Sequence, residues 1–389
     1  MAINMKILDN EKQCVGCGLC AWVCDKNAIT MRAAEGGFLY PQIDAEKCVS
    51  CQKCRSFCPV VKERKKVEPQ ECYALNDNRD ERRRKSASGG AATLFFEETI
   101  GRGGMVCGCR LDENLQAVHD TADSIESIDL FRDSKYVQSD MSAAWGKISS
   151  SLSNGKELLV CGTPCQMAAV NSRFGKNDNL TTVDFVCSGV PDPQIFEIYK
   201  ADIEKESGKK IKEFYFRDKT NGWKKSNIKV VFTDGTQQII TRKDSYYFKL
   251  FGGNLYFREC CYNCRFKKFN TYADITVGDY WGIEKIHPEL DDDSGCSLVI
   301  VNTDKGKALA DSVKGRCKVA STPLDFAVQT HPKLEKSINR AKYRDLFFHI
   351  YKGDEKSLKK AMKLCMGGSV VRKIKRVLYS KALSAIGKI

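Results

Sequence analysis

The stretch QCVGCGLCAWVC, residues 13–24, decides the fold of the N-terminal region, because it spaces four cysteines as C-x2-C-x2-C-x3-C. The same spacing returns over residues 48–58, and Pro59 follows it. Three thiolates three residues apart can surround one face of a cubane 4Fe–4S cluster, and the fourth ligand then comes from the other run. We therefore predict two such clusters, with a first ligand set of Cys14, Cys17, Cys20 and Cys58 and a second ligand set of Cys48, Cys51, Cys54 and Cys24.

Zinc and disulfides are the two alternative uses of these cysteines. A structural zinc ion takes four ligands, typically from two C-x2-C pairs, so two identical runs of four cysteines fit two cubanes better. Disulfides are rare where thiols are kept reduced, and residues 1–12 lack the apolar segment of a secretory signal. We therefore expect a cytoplasmic chain whose 20 cysteines point to metal binding rather than to disulfides.

The composition describes a globular chain with a large basic excess. Its 389 residues are enough for two or three domains, and no segment approaches the roughly 20 apolar residues of a membrane span. The formal net charge of +14 is spread over short runs such as 62–66 and 82–85, without a zinc-finger or RNA-recognition signature. We predict no nucleic-acid partner, and we expect the charge to serve acidic electron carriers or an anionic substrate.

The first 62 residues resemble bacterial-type two-cluster ferredoxins, whose clusters lie close together, so the segment is expected to carry electrons rather than to catalyse. One departure from the repeat is Asp25, which follows Cys24 where the second run has a proline. Residues 63–71 are charged, contain Pro69 and have little apolar content, which predicts a linker. We divide the chain into a ferredoxin domain over residues 1–62, the linker over 63–71, a body over 72–350 and a basic helical tail over 351–389.

The body alternates short apolar runs with helical patterns, which predicts a mixed α/β arrangement. A hairpin is predicted over 227–242, with its turn at Asp234 and Gly235. Strands are predicted at 103–111, 156–164, 180–190, 273–283 and 296–303, and helices at 89–101 and 193–208.

Two loops of the body are candidates for cofactor binding, although no Rossmann glycine pattern or P-loop is present. KSASGG, residues 85–90, places small residues and free amides before a helix, which suits a phosphate; the alternative is an ordinary helix cap with a flexible glycine pair. VCGTPCQ, residues 160–166, ends a predicted strand, where cofactors tend to lie in α/β sheets; the alternative is a tight turn with two buried cysteines.

A set of motifs over residues 70–350 resembles the beta subunit of coenzyme F420-reducing hydrogenases and dehydrogenases, to which chlorophyll-type reductases with the same core are related. The motifs, in chain order, are SASGG, KYVQSD, CGTPCQ, FVCSGVPDP, FRDKTNGW, CYNCRF and ADITVGDYWGI. The resemblance implies FAD and 4Fe–4S clusters that move electrons between a one-electron carrier and a two-electron acceptor. The expected fold class is α+β: a two-cluster ferredoxin-like domain, a mixed α/β flavin-binding body and a C-terminal helical segment.

The resemblance also assigns expected roles to residues of the two loops. Ser88, Gly89 and Gly90 become candidates for the flavin pyrophosphate. Outside the two loops, Lys135 becomes a candidate for neutralising phosphate or a reduced flavin ring. Independently of the resemblance, Asp279 follows a predicted strand and is a candidate for accepting a hydrogen bond in the cofactor or substrate pocket. The residues expected to line the flavin are Gly162, Thr163, Pro164 and Gln166.

Five further cysteines of the body suggest a third cluster. We hypothesise that Cys165, Cys187, Cys261 and Cys264 hold it, with Cys260 able to replace one of them; the family core can carry such a cluster without the ferredoxin extension. The alternative is that these cysteines are small buried hydrophobic residues. The cysteines interpreted as structural are Cys72, Cys107, Cys109, Cys296, Cys317 and Cys365.

Other polar and basic features have weaker interpretations. The segment 217–219 could hold an anionic substrate or end a solvated strand, and no histidine is predicted to be catalytic. Trp281 could stack near a flavin or pack in the core, and core packing is slightly favoured. Residues 369–389 combine helically spaced apolar residues with six basic ones, so the tail could lie on an anionic membrane, dock a partner or pack on the body.

The leading prediction is an iron–sulfur flavoprotein oxidoreductase. A ferredoxin-like carrier or a deazaflavin coenzyme exchanges electrons with the clusters and FAD, and FAD serves a two-electron acceptor. The alternatives are a non-catalytic electron-transfer subunit that feeds a partner reductase or hydrogenase, and a regulatory iron–sulfur protein.

Overall fold

The computed structural model describes residues 6–34, 36–62, 67–269, 272–366, 370–385 and 387, and describes the backbone alone at 370–375, 382 and 385. Residues 63–66 of the predicted linker lie outside the described residues, as do 367–369, 386 and 388–389 of the predicted tail.

The described residues form strands and helices that alternate along the body. The strands are β1 Ile29–Ala33, β2 Leu39–Ile43, β3 Glu71–Asp77, β4 Met105–Leu111, β5 Ala117–Ala122, β6 Leu158–Gly162, β7 Leu180–Phe185, β8 Ile211–Asp218, β9 Asn227–Phe232, β10 Gln237–Ile240, β11 Ile275–Asp279, β12 Ser297–Val301 and β13 Cys317–Ser321. The helices are α1 Leu19–Trp22, α2 Lys53–Ser56, α3 Asp80–Lys85, α4 Ala91–Gly101, α5 Ser142–Ser153, α6 Pro164–Phe174, α7 Pro193–Ser207, α8 Tyr246–Gly252, α9 Asp304–Val313, α10 Leu324–Thr330, α11 Arg344–Ile350, α12 Glu355–Cys365 and α13 Val370–Ala385.

The two cysteine runs adopt the same backbone shape. In the first run Gly16 and Gly18 have φ of 71° and 72°, and in the second run Ser50 and Gln52 have φ of 59° and 63° at the equivalent positions. Each run then enters a single helical turn, α1 or α2, that carries its third cysteine. The antiparallel hairpin of β1 and β2 separates the runs, with Ile29 opposite Ile43.

One mixed sheet of eight strands forms the centre of the body, in the order β13-β3-β12-β11-β7-β6-β4-β5. The four strands β11, β7, β6 and β4 are parallel, and antiparallel strands extend the sheet on both sides. The strands are apolar on both faces because α4 and α9 cover one face and α5 and α6 the other. The carboxyl ends of the parallel strands therefore meet at one edge, where α/β sheets bind ligands.

A smaller antiparallel sheet, β10-β9-β8, packs on α7 and α8. Its core is aromatic: the Phe196 ring lies 5.1 Å from Phe214, 5.0 Å from Phe216 and 5.7 Å from Tyr247 between centroids. This packing fixes β8, whose last residues reach the edge of the main sheet.

The C-terminal helices pack against the same aromatic core. Leu383 of α13 is buried with Leu358 of α12, while Val377, Leu378 and Tyr379 are exposed. No helix in the described ranges is both long and apolar enough to cross a membrane.

The predicted α+β fold class is confirmed. The five strands predicted in the body are present as β4, β6, β7, β11 and β12, the two predicted helices as α4 and α7, and the hairpin as β9 and β10. The FRDK segment is not the solvated strand end that was the alternative, since Arg217 and Lys219 are both 5% exposed.

Candidate electron-transfer site

The structure brings the cysteines of the first ligand set together. Burial raises the pKa of the Cys20 thiol, and the charges of Cys14 and Cys58 raise it further. Burial also raises the pKa of Cys17, and the nearby Cys20, Cys14 and Cys58 raise it further. The fourth member therefore comes from the other run, as the spacing predicts, although the ligand roles themselves stay predictions.

The second ligand set is grouped in the same way but lies nearer to solvent. Burial raises the pKa of Cys54, and the nearby thiols of Cys24, Cys51 and Cys48 raise it further. Cys51 is exposed, and Val49 beside it is 60% exposed. The second set thus faces solvent, whereas the first set faces the body, where Trp145 donates a hydrogen bond from Nε1 to Cys17 O at 3.0 Å.

Four cysteines of the body also come together, from three separate places in the chain. Burial raises the pKa of Cys165, and the charges of Cys264, Cys187 and Cys261 raise it further. All four line a cavity of about 230 Å³ between the ferredoxin domain and the body, and Cys260 lines it as well. No group of three His, Cys, Asp or Glu side chains in the described ranges is close enough to hold a single metal ion.

A larger cavity of about 710 Å³ lies at the carboxyl ends of β6, β7 and β11. Six of the nine residues predicted to bind cofactor line it, namely Ser88, Gly90, Lys135, Thr163, Gln166 and Asp279. Pro164 lines the smaller cavity instead, and neither cavity is lined by Gly89 or Gly162.

The two glycines outside the cavities are explained by packing. A Cβ atom on Gly89 would lie 2.2 Å from Leu75 O and 2.4 Å from Ser297 N, so the SASGG loop closely approaches β3 and β12. A Cβ on Gly162 would lie 2.9 Å from Gln166 Oε1. Close approach of neighbouring atoms therefore accounts for glycine at both positions without a ligand.

Several predicted cofactor contacts are already engaged within the protein. Gln166 Oε1 accepts from Thr163 N at 2.9 Å in a capping box at the start of α6, and its Nε2 donates to Ser139 Oγ at 2.9 Å. Lys135 Nζ donates to the carbonyl oxygens of Arg132 and Asp133. Burial lowers the pKa of Lys135, while Cys109 and Asp133 oppose that shift. These side chains shape the wall of the cavity.

Three arginines on the wall of the larger cavity carry buried N–H groups without a hydrogen-bond partner among the described residues. The atoms are Arg132 Nε, Arg217 Nε and Nη2, and Arg242 Nε. Leaving such donors unpaired costs about 1–3 kcal/mol each, so a bound anion would stabilise them. The cavity therefore suits an anionic ligand; sequence reasoning missed Arg132 and Arg242 because no local motif marks them.

Asp279 and two tryptophans orient Arg217. Arg217 Nη1 and Trp223 Nε1 both donate to Asp279 Oδ1 at 2.9 Å, and Trp223 stacks on Trp281 with centroids 4.1 Å apart. Burial alone would raise the pKa of Asp279, but the Arg217 guanidinium lowers it below its usual value. Trp281 is partly buried: it stacks on the buried Trp223 and also lines the cavity, whereas the neighbouring Tyr280 is fully buried.

Two histidines also line the larger cavity, although neither was predicted to have a role there. His119 Nε2 lies 3.1 Å from Cys161 O, and burial lowers the pKa of this histidine to about 4. His331 Nε2 contacts Asp279 O, and burial lowers its pKa as well. At neutral pH His119 is therefore an uncharged part of the wall.

The two cavities share a wall. Cys165 and Cys187 line both cavities, and so does Val15 from the first cysteine run. Gln138 lines the larger cavity and donates from Nε2 to Val15 O at 3.1 Å. The ferredoxin domain thus contacts both cavities through its first ligand run, and a group bound in either cavity would lie beside it.

Together the fold and its cysteine sets define an iron–sulfur protein with a dicluster domain on an α/β body. Residues 155–325 match the C-terminal part of the family described as "Coenzyme F420 hydrogenase/dehydrogenase, beta subunit", and residues 13–61 match the 4Fe–4S dicluster domain. The chain therefore carries the C-terminal domain of the coenzyme F420 hydrogenase/dehydrogenase beta-subunit family behind a 4Fe–4S dicluster domain. The resemblance inferred from the motifs is confirmed, and the family is part of oxidoreductase complexes.

Two curated relatives match the ferredoxin region, both from Methanocaldococcus jannaschii. An uncharacterized ferredoxin is 40% identical over 75 residues, which cover 18% of this chain and 94% of that protein. An uncharacterized polyferredoxin-like protein is 37% identical over 67 residues, and the chain covers 40% of its length. Among solved structures, a chain of the F420-reducing NiFe hydrogenase complex from Methanosarcina barkeri is similar over 76% of this chain and 91% of that chain, with 18% identity and a TM-score of 0.46.

Proposed function

We propose that this chain is an iron–sulfur flavoprotein oxidoreductase that exchanges electrons between a one-electron carrier and a two-electron acceptor. The observation that carries the proposal is the shared wall of the two cavities. Cys165 and Cys187, from the candidate ligand set of the body, separate a cysteine-lined cavity from one lined by unpartnered arginine N–H groups. FAD in the larger cavity would supply the exchange between one-electron and two-electron chemistry.

The positions of the cysteine sets support an order of electron transfer. The second ligand set is at the surface, where Cys51 and Val49 are exposed, so it is the proposed docking point for a ferredoxin-like carrier. The first ligand set lies between the second set and the body, since Cys20 has both Cys58 and Cys54 as charged neighbours. The body set then borders the larger cavity.

The chain's own residues prepare the larger cavity for an anionic ligand. Arg217 is held by Asp279 and Trp223 in one orientation, which leaves its Nε and Nη2 atoms for a phosphate or carboxylate. Arg242 stacks 4.1 Å from the Phe248 ring centroid, which keeps its guanidinium at the wall. The ligand proposed for this site is therefore anionic, as the pyrophosphate of FAD is.

The first experiment is the cofactor content of the chain after anaerobic reconstitution with iron, sulfide and FAD. Three clusters correspond to about twelve iron atoms per chain and two clusters to about eight. We expect about twelve, with one bound FAD. Reconstituted protein that retains no FAD would contradict the proposal, and a count near eight would remove the body cluster.

A pair of variants locates the flavin. Arg217→Gln removes two of the four unpartnered donor atoms of the larger cavity and is expected to weaken FAD binding. Arg340→Gln is the matched control, because Arg340 is one-third exposed and pairs with Glu259 and Asp345 away from that cavity. Equal FAD retention in the two variants would contradict the assignment of FAD to this cavity.

The alternative function is a non-catalytic subunit that transfers electrons to a partner reductase or hydrogenase, as the family's description of a beta subunit suggests. Turnover distinguishes the two. The reconstituted chain alone, given dithionite and a deazaflavin acceptor, is expected to reduce the acceptor catalytically. Reduction of its own cofactors without turnover would favour the subunit role.

We also propose cytoplasmic localisation with the tail helix against an anionic membrane surface. Val377, Leu378 and Tyr379 of α13 are exposed, and the tail carries basic residues without acidic ones after Glu355. Sedimentation with phosphatidylglycerol vesicles tests this contact. Binding that is equal for phosphatidylcholine vesicles, or absent for both, would contradict it.

A further inference from the structure

Arg258 is a fully buried arginine at the junction of the ferredoxin domain and the body. Its exposed fraction is 0%, and its guanidinium donates to Cys14 O at 2.7 Å, to Leu39 O at 2.8 Å and to Gln138 Oε1 at 3.2 Å. These acceptors are neutral, and no carboxylate in the described part of the chain forms an ion pair with it. Burying a charge without a counter-charge is costly, so another source of negative charge must stabilise this one.

Aromatic rings supply part of that stabilisation. The guanidinium lies 4.2 Å from the Tyr40 ring centroid and 5.5 Å from that of Phe38. The stabilising free energy of cation–π contacts of this kind is modest, and it is smaller than the free-energy cost of burying the charge. The rings therefore fix the position of the guanidinium without neutralising it.

The remaining negative charge comes from cysteines of two different ligand sets. Arg258 lies beside both sets: its Nε donates to Cys14 O at 2.7 Å, and it lines the smaller cavity together with Cys260 and Cys261, where Cys261 N donates to Arg258 O at 3.0 Å. When clusters are bound, their net negative charge lies on these sulfur atoms. Arg258 is thus a single fixed cation shared by the two sites.

The first cysteine run is shaped to admit this arginine. A Cβ on Gly16 would lie 2.7 Å from Arg258 Nη1 and 2.6 Å from Gln138 Nε2. The equivalent position in the second run is Ser50, which adopts the same left-handed backbone with a side chain. Glycine at position 16 is therefore required by the close approach of Arg258 and Gln138, in addition to its backbone conformation.

We propose that Arg258 is a positioning residue that stabilises the reduced, more negative state of the first cluster and of the body cluster together, and fixes their mutual placement. The proposal rests on the cluster assignments of the proposed function. A shared cation raises both reduction potentials and leaves that of the second cluster, near the exposed Cys51, largely unchanged. Electrons that enter at the second cluster are then drawn inward towards the larger cavity.

The test is a redox titration of the reconstituted full chain, followed by electron paramagnetic resonance. Arg258→Gln is expected to lower the midpoint potentials of two clusters and leave the third in place, whereas Arg258→Lys keeps the charge and stays near the wild type. The matched control is Arg344→Gln. Arg344 is also buried, donates to Phe257 O and pairs with Glu259. Its replacement therefore removes a buried arginine that is neutralised by a carboxylate, and the cluster potentials are expected to stay unchanged.

A second variant covers the case in which Arg258→Gln does not accumulate with its clusters. Gln138→Glu places a carboxylate beside Arg258 Nη1 and neutralises the guanidinium without removing it, so the same two potentials are expected to fall. Unchanged potentials in a fully loaded Arg258→Gln or Gln138→Glu protein would overturn the inference. Wild-type protein that takes up no iron would instead overturn the proposed function.

Discussion

Arg217 at the end of β8 donates from Nη1 to both carboxylate oxygens of Asp279 at the end of β11, at 2.9 and 2.7 Å. This pair joins the small sheet to the main sheet across the larger cavity. Because Arg217 is 3% exposed in its side chain and Asp279 17%, the pair is shielded from solvent. It closes one side of the cavity and presents the remaining guanidinium N–H groups to a ligand.

Asp279→Ala is expected to destabilise the fold by about 3–5 kcal/mol, because it leaves a buried guanidinium without its counter-ion. Urea unfolding of the protein measures the change. The control is Asp345→Ala, whose partner Arg340 is one-third exposed, and there the loss is expected to stay below about 1 kcal/mol. Equal losses for the two variants would contradict the structural role of the Arg217–Asp279 pair.

Gly89→Ala is expected to lower the free energy of unfolding by about 3 kcal/mol, because the new Cβ would overlap Leu75 O and Ser297 N. A thermal melt and the yield of soluble protein measure this effect. Gly101→Ala, at the end of α4 with no atom within 4 Å of the new Cβ, is the control and is expected to change little. A stable Gly89→Ala protein that lacks only FAD would show instead that Gly89 contacts the flavin.

Because the fourth cysteine of each run is assigned to the other cluster, replacing the last cysteine of one run is expected to remove the cluster of the other run. Cys58→Ser is expected to remove the buried first cluster and Cys24→Ser the exposed second cluster, each lowering the iron content by about four atoms. Electron paramagnetic resonance distinguishes the two clusters. Cys317→Ala, a buried cysteine in the body core, is the control and is expected to keep all its iron. If Cys58→Ser lost the exposed cluster, the crossed assignment would be wrong.

His119 predicts an acid-dependent loss of stability. Burial lowers its pKa to about 4, whereas the unfolded value is about 6.5, so the folded chain binds fewer protons than the unfolded chain between these pH values. Stability from this group is complete above pH 6.5 and falls as the pH drops towards 4, by about 3 kcal/mol at most. His119→Asn is expected to show a shallower decline in denaturant midpoint over this range. Parallel curves for the variant and the wild type would contradict the effect.

The ferredoxin domain could be predicted from the sequence because its cysteine spacing is a local pattern, while the ligand sets themselves stay predictions. In ferredoxins with two such runs, the fourth cysteine of each run binds the cluster of the other run. The spacing therefore predicts Cys58 in the first ligand set and Cys24 in the second. The body cysteines were harder, since Cys165 begins α6, Cys187 follows β7, and Cys261 and Cys264 lie in a separate loop. Their grouping depends on strand order, which spacing along the chain does not record.

The larger cavity was predicted less completely. Strand ends indicated Thr163 and Asp279, but Arg132 and Arg242 lie between strands and helices, outside any motif. Gly89 and Gly90 look alike in the sequence, yet only Gly90 reaches the cavity, because Gly89 packs on β3 and β12. Tertiary packing decides which of these residues line the cavity, and a short sequence pattern does not predict that packing.

The central claim is that electrons reach a flavin in the larger cavity through the cysteine-bound clusters. The direct measurement is anaerobic rapid mixing of reconstituted protein with a reduced ferredoxin-type carrier while the absorbance of the bound flavin is followed. Wild-type protein is expected to reduce its flavin, and Cys58→Ser, with the same flavin content, is expected to do so many times more slowly. Equal rates in the two proteins would contradict the account.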